Sequence, residues 1–184
     1  MQGLVNLANF FGFMLAVLLP TFCYLTAIGL FLFAGWGFWM QSHPDNPFRS
    51  RPWVPAMSLA LCGVCASFDQ WLNKANVSAG TGIQVSLGSA LGYAPNAATT
   101  SLLGNGPSDS VVNVVQMFLP LFQSFGAMAC FFALIAWHGV MSGRSQRTLT
   151  GCAVQFVFGI CLINVLPIAQ TLVGFFQTGG TTTA

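Results

Sequence analysis

MQGLVNLANFFGFMLAVLLPTFCYLTAIGLFLFAGWGFWMQSHP, residues 1–44, holds no Lys, Arg, Asp or Glu, and the first charged side chain is Asp45. A helix of about 20 apolar residues crosses the hydrocarbon of a bilayer, and this stretch is far longer. Further charge-free runs cover 52–68, 110–143 and 148–184. Over the whole chain of 184 residues, 55% are hydrophobic and 4% charged, with a mean hydropathy of +0.73. A soluble domain carries about a quarter charged residues, so one buried segment does not explain the shortfall. The composition predicts a chain that lives in lipid, or in an assembly that copies lipid. It excludes most soluble-enzyme classes.

Hydropathy places four apolar helices, over 9–40, 53–68, 111–141 and 149–177. The expected fold is all-α and integral to a membrane, with four long helices paired as two hairpins, 1–71 and 111–184. A Gly/Ser/Asn-rich outer loop over 72–110 joins them. Three of the four segments run near 30 residues, about 45 Å as helix, against about 30 Å of hydrocarbon. They must tilt, kink or project, and Pro20, Pro120 and Pro167 are the expected kink points. Within the outer loop, 88–93 is expected to form a short helical turn at the membrane surface. The tail 179–184 reads as a solvated end. The N-terminus lacks the basic region of a secretory signal, so the first helix is expected to stay as an anchor.

Charge placement sets the orientation. Arg49 and Arg51 lie in the first hairpin's turn, Arg144 and Arg147 in the second's, and Lys74 is the one basic residue between the hairpins. Lys and Arg gather on the cytoplasmic side of membrane proteins, so both turns are expected there, with both termini and the central loop outside.

The two hairpins resemble each other. Leu19-Pro20-x-Phe22 recurs as Leu119-Pro120-x-Phe122, and Ala27 and Phe31 match Ala127 and Phe131 at the same offset of 100. Arg51, Gly63 and Cys65 match Arg147, Gly159 and Cys161 at an offset of 96. Internal repeats are common in membrane proteins, although an apolar alphabet makes chance matches cheap.

Neutral polar residues are the main interruption in the helices. Gln116, Gln123, Gln155 and Asn164 are expected to find partners across helix interfaces, and Gly29, Gly35, Gly126 and Gly159 to let backbones approach. His138 reads as an interfacial residue beside Trp137, and no ionisable group stands mid-helix to relay protons or ions. All six cysteines sit in apolar runs and read as small core residues. Cys62-Gly-Val-Cys65 resembles the motif of the four-helix disulfide carriers that pass electrons to quinone. That family keeps a second pair in an outer loop, and 72–110 contains no cysteine. No catalytic or metal-binding set is expected, so the chain reads as non-enzymatic.

The four arginines are the candidate functional residues. Their simplest role is topology. The sharper one is phosphate binding, to anionic lipid head groups or to a nucleic-acid strand. A long apolar helix, a basic turn and a second apolar helix resemble the hairpin pilins of conjugative type IV secretion systems, with 44–51 and 143–147 at the turn positions. Size, four helices and a Gly/Ser-rich outer loop look like the small hydrophobic membrane proteins of type IVB systems. These are the TraQ-like conjugal transfer proteins of I-type plasmids and their relatives in Dot/Icm machines. The chain departs from the pilins in having two hairpins and no long cleaved leader. The resemblance implies a multi-copy pilus or channel subunit in a bacterial inner membrane, extruded as a filament in the pilin case. Its implied partners are copies of itself, phospholipid, other secretion-system proteins and single-stranded DNA in transit. Bound phospholipid is the one expected non-protein component. The alternatives are a non-polymerising assembly component of the same machine, and a membrane thiol-redox enzyme or transporter.

Overall fold

The computed structural model describes residues 2–80, 112 and 114–178, and every regular element among them is a helix. Helix α1 spans Gln2–Met40, α2 Val54–Ala66 and α3 Phe68–Ser78. Helix α4 spans Leu119–Met141, α5 Leu149–Ile163 and α6 Val165–Thr178.

Helix α1 runs 39 residues without a break, with Pro20 inside it, and is about 58 Å long. Its buried positions are Gly12, Leu19, Cys23, Ala27, Ala34 and Gly37. They are spaced three, four or seven apart, which traces one stripe down a helix. All but Leu19 are small, so neighbouring helices come close. The rest of the surface carries exposed side chains such as Phe10, Phe13, Leu25, Phe31 and Leu32.

The helices assemble as two antiparallel hairpins lying side by side. The broadest contact is α4 against α5, followed by α1 against α2 and then α1 against α4. In the first hairpin a Cβ on Gly37 would lie 2.7 Å from Pro55 Cγ. In the second, a Cβ on Gly126 would lie 2.6 Å from the Gly159 carbonyl oxygen, and one on Gly159 would lie 2.7 Å from the Gly126 oxygen. These two glycines form a backbone-to-backbone crossing. Helices α1 and α4 run parallel, since Gly12 lies beside Pro120 at one end and Phe33 beside His138 at the other. The hairpins are therefore related by an axis along the helices, and both turns fall at one end.

The expectation of four long helices does not hold. Among the described residues, two helices, Phe10–Met40 within α1 and α4, are long and apolar enough to cross a membrane. A third span exists only if α5 and α6 are taken together, and they are bent by 75°. Helix α2 has 13 residues, about 20 Å, and α5 has 15, about 22 Å. Neither crosses about 30 Å of hydrocarbon alone.

Both short helices stop by the same device. Ser67 follows α2 with φ −116° and ψ 36°, and its Oγ donates to the Gly63 carbonyl, four residues back. Asn164 follows α5 with φ −98° and ψ 24°, and its Nδ2 donates to the Ile160 carbonyl, also four back. A side chain bonding to the i−4 carbonyl competes with the ladder and bends a helix. The two breaks are offset by 97 residues, one away from the offset that relates Arg51 to Arg147.

The prolines act differently from the expectation. Pro120 opens α4 rather than kinking it, and a preceding helical stretch over 114–117 is separated from it at Phe118. Pro167 sits in the first turn of α6, where its missing N–H has no partner to lose. Residues 72–78 of the expected outer loop are helical, as the greater part of α3. Residues 81–111, with the turn expected at 88–93, and the tail 179–184 lie outside the described residues.

Helix α3 continues from α2 and packs against the middle of α4 and the end of α5. It buries Phe68, Leu72 and Asn76, one residue per turn, and exposes Gln70, Trp71, Lys74 and Val77. Phe68 meets Phe131 of α4 edge-on, with ring centroids 6.0 Å apart. Lys74 Nζ lies 6.0 Å from the Trp71 ring centroid. Such a helix, apolar inward and Trp/Lys outward, suits a membrane–water boundary.

Candidate functional site

The first turn, 41–53, is closed by short-range bonds. Gln41 Nε2 donates to the Pro52 carbonyl at 2.9 Å, and the Phe48 N–H donates to Asn46 Oδ1 at 2.7 Å. The second turn is capped at both ends. Gly143 takes φ +76° after α4, the Gly143 N–H reaches the Val140 carbonyl and the Arg144 N–H reaches that of Gly139. Those two bonds form a Schellman motif, and glycine suits its left-handed position. At the far side Thr148 Oγ1 accepts from the Gly151 N–H, an N-cap for α5. Two hydrogen-bonded turns thus present the arginines.

The turns touch each other. Arg51 Nη1 donates to the Met141 carbonyl at 3.3 Å, and its guanidinium fills the space a side chain on Gly143 would need. Arg144 stacks on Phe33 of α1, 5.1 Å from the ring centroid, an arrangement that holds a guanidinium at a ring face. Arg147 Nη1 points to Gln155 Oε1 at 3.4 Å. Arg49 is exposed. All four arginines stand at one end of the molecule, with Asp45 the single acidic residue in the two turns. Trp36, Trp39, Trp53 and Trp137 lie within a few residues of this end and are all partly exposed.

Beneath the arginines lies a polar contact that hydropathy did not single out. Ser58 Oγ donates to the Val54 carbonyl at 2.9 Å and sits 2.8 Å from His138 Nε2. One hydroxyl has one proton, so with that proton on Val54 the Ser58 oxygen accepts from an Nε2–H of the imidazole. Ser58 is fully buried and ties α2 to α4. His138 also meets Phe33 edge-on, with centroids 5.8 Å apart. A cleft of about 30 Å³ opens beside it, lined by Thr26, Leu30, Leu61, Cys65, Leu134 and Ile135. That volume is of the order of one or two waters.

The residues expected to join helices divide into two groups. Gly126 and Gly159 meet directly, Gln155 Nε2 reaches the Ala129 carbonyl at 3.4 Å, and Asn164 Nδ2 reaches Asn76 Oδ1 at 3.0 Å. Gly29 and Gly35 are exposed, with open space where a Cβ would stand, so they join no helix among the described residues. Gln116 is exposed and Gln123 half-buried. The partner missed from sequence is Asn76, which stands in a stretch whose composition reads as a loop. Its spacing, four residues after Leu72 and eight after Phe68, was the available signal.

The cysteines are all free. Among the described residues, no group of three or more His, Cys, Asp or Glu side chains converges to hold a metal ion. Comparison with protein-family models, curated proteins and solved structures finds no match for this chain.

Proposed function

We propose that this chain is a multi-copy, non-enzymatic structural subunit of a bacterial conjugation or type IV secretion apparatus. It is a pilus or channel subunit of the inner membrane, packing with neighbours and phospholipid around a basic lumen. The observation that carries the reading is the contact between Arg51 and the Met141–Gly143 turn. It gathers Arg49, Arg51, Arg144 and Arg147 at one end. One subunit with four guanidinium groups holds a polyanion weakly. A ring or helix of such subunits multiplies the phosphate contacts, on which affinity for nucleic acid depends steeply.

The length of α1 adds support. At about 58 Å it outruns a bilayer of about 30 Å, and so does its apolar part, the 31 residues of Phe10–Met40, at about 46 Å. Its exposed Phe10, Phe11 and Phe13 lie at the end beyond or beside Pro120, where α4 begins. Neighbouring copies would cover what one bundle and one bilayer leave bare.

Neutralising Arg49, Arg51, Arg144 and Arg147 to Gln tests the lumenal role. The variant inserts in the membrane and assembles, while DNA or effector transfer falls at least tenfold. Wild-type transfer by that variant removes the role. Electron microscopy of sheared surface filaments separates a pilin, which is their bulk protein, from a non-polymerising assembly component of the same machine.

A further inference from the structure

The break between α5 and α6 combines three facts that packing alone does not account for. Asn164 is 2% exposed, and its Oδ1 has no hydrogen-bond partner. Its Nδ2 is doubly engaged, by Ile160 of its own helix and by Asn76 of α3, itself 0% exposed. Beyond the break, α6 leaves at 75° and exposes Ile168, Leu172 and Phe175. A buried acceptor left without a partner marks a stored cost. Taken together, Leu149–Ile163 and Val165–Phe175 are long and apolar enough for one membrane span. The chain thus carries a full span's worth of apolar helix, bent near its middle.

Proline places the hinge but leaves its angle to the neighbouring contacts. Pro167 lies beyond the hinge, in the first turn of α6, and the Ile168 N–H already bonds to the Asn164 carbonyl. Pro167 has no N–H for the Ile163 carbonyl, and its ring crowds that carbonyl, so the joint is weakened at that point and the bonds of Asn164 act on it. Asn76 adds a constraint at this joint, because α3 reaches across from the first hairpin and bonds Asn164 from the side. The equivalent break at Ser67 makes the back-bond to Gly63 within its own helix.

We propose that α5–α6 is a two-state element: the Asn76–Asn164 bond latches it in the bent form, and release lets Leu149–Phe175 straighten into a proline-kinked membrane span. The first hairpin, through α3, thereby controls how deeply the second is anchored. The device goes beyond the secretion reading and stands whether or not the subunit polymerises.

Spin labels placed by non-canonical residues at Thr150 and Leu172, both exposed, read the state with the six native cysteines untouched. With 1.5 Å per residue and the 75° bend, the bent form puts the two backbones about 27 Å apart and the straight form about 33 Å. In bilayers the wild type shows the shorter distance. Asn76→Leu keeps the bulk of the buried side chain and removes the latch, and it shifts the population to the longer distance. Asn164→Leu removes the latch from the other side and does the same. A second label pair, at Thr150 and Phe132, reports whether α4 and α5 stay together. The short distance retained in both variants overturns the proposal, and so does a wild type already at the long distance. Loss of the α4–α5 contact in both variants also overturns it, because the bond is then a structural tie and not a switch.

Discussion

Replacing Gly126 with Ala tests the α4–α5 crossing at its tightest point. The new Cβ would stand 2.6 Å from the Gly159 carbonyl oxygen, 2.8 Å from Ile163 Cγ1 and 2.9 Å from the Ile163 nitrogen. Two of those atoms are backbone, so no side chain can swing away. Reaching an ordinary contact near 3.4 Å from the oxygen requires the helices to part by roughly 0.8 Å, and a gap of that size forfeits a quarter to a half of each dispersion contact it opens. Overpacking of this kind costs about 1–3 kcal/mol. Alanine's helix propensity returns up to about 1 kcal/mol, which leaves a net loss of order 1–2 kcal/mol. Gly29→Ala is the matched control, since nothing lies within 4 Å of its Cβ position. It gains the propensity without the clash. Unfolding by SDS titration from mixed micelles, followed by helix content and by tryptophan emission, reads both. Gly126→Ala unfolds at a lower SDS fraction than the wild type, and Gly29→Ala at the same fraction or a higher one. If the two variants shift alike, the close crossing of α4 and α5 is not what holds the second hairpin.

Two further outcomes follow from named contacts. Gly143→Ala meets both a left-handed backbone, φ +76°, which costs a residue with a Cβ about 1–2 kcal/mol, and the Arg51 guanidinium. It lowers stability by that amount in the same SDS titration and raises protease cleavage within 142–148. Replacing Cys62 and Cys65 by Ser leaves transfer unchanged, because both thiols serve as packing within α2. A transfer defect in that variant, measured at wild-type protein levels, restores the redox reading.

What the sequence disclosed follows from its physics. The apolarity of α1 and α4 is legible because it is unbroken over more than a membrane's thickness. The basic turns are legible because charge is so rare elsewhere. The crossing of Gly126 with Gly159 follows from small residues on facing helices. The breaks at Ser67 and Asn164 were not legible, because each is one polar residue in an apolar run. Hydropathy averages over such a residue, and its back-bond to the i−4 carbonyl is a matter of geometry. Helix α3 was hidden by its polar face, since Asp69, Gln70, Asn73 and Lys74 outweigh the buried Phe68 and Leu72. Asn76 occupies the third inward position, where a residue expected in the outer loop instead grips the opposite hairpin. The contact of Ser58 with His138 joins residues 80 apart in sequence, and periodicity in one helix carries no information about it.

Cryo-electron microscopy of the protein purified with its native lipids tests the central claim most directly. The account predicts closed rings or helical filaments in which Arg49, Arg51, Arg144 and Arg147 of every copy face one shared interior. A monodisperse single copy, or an assembly with those arginines spread over its outer surface, contradicts it.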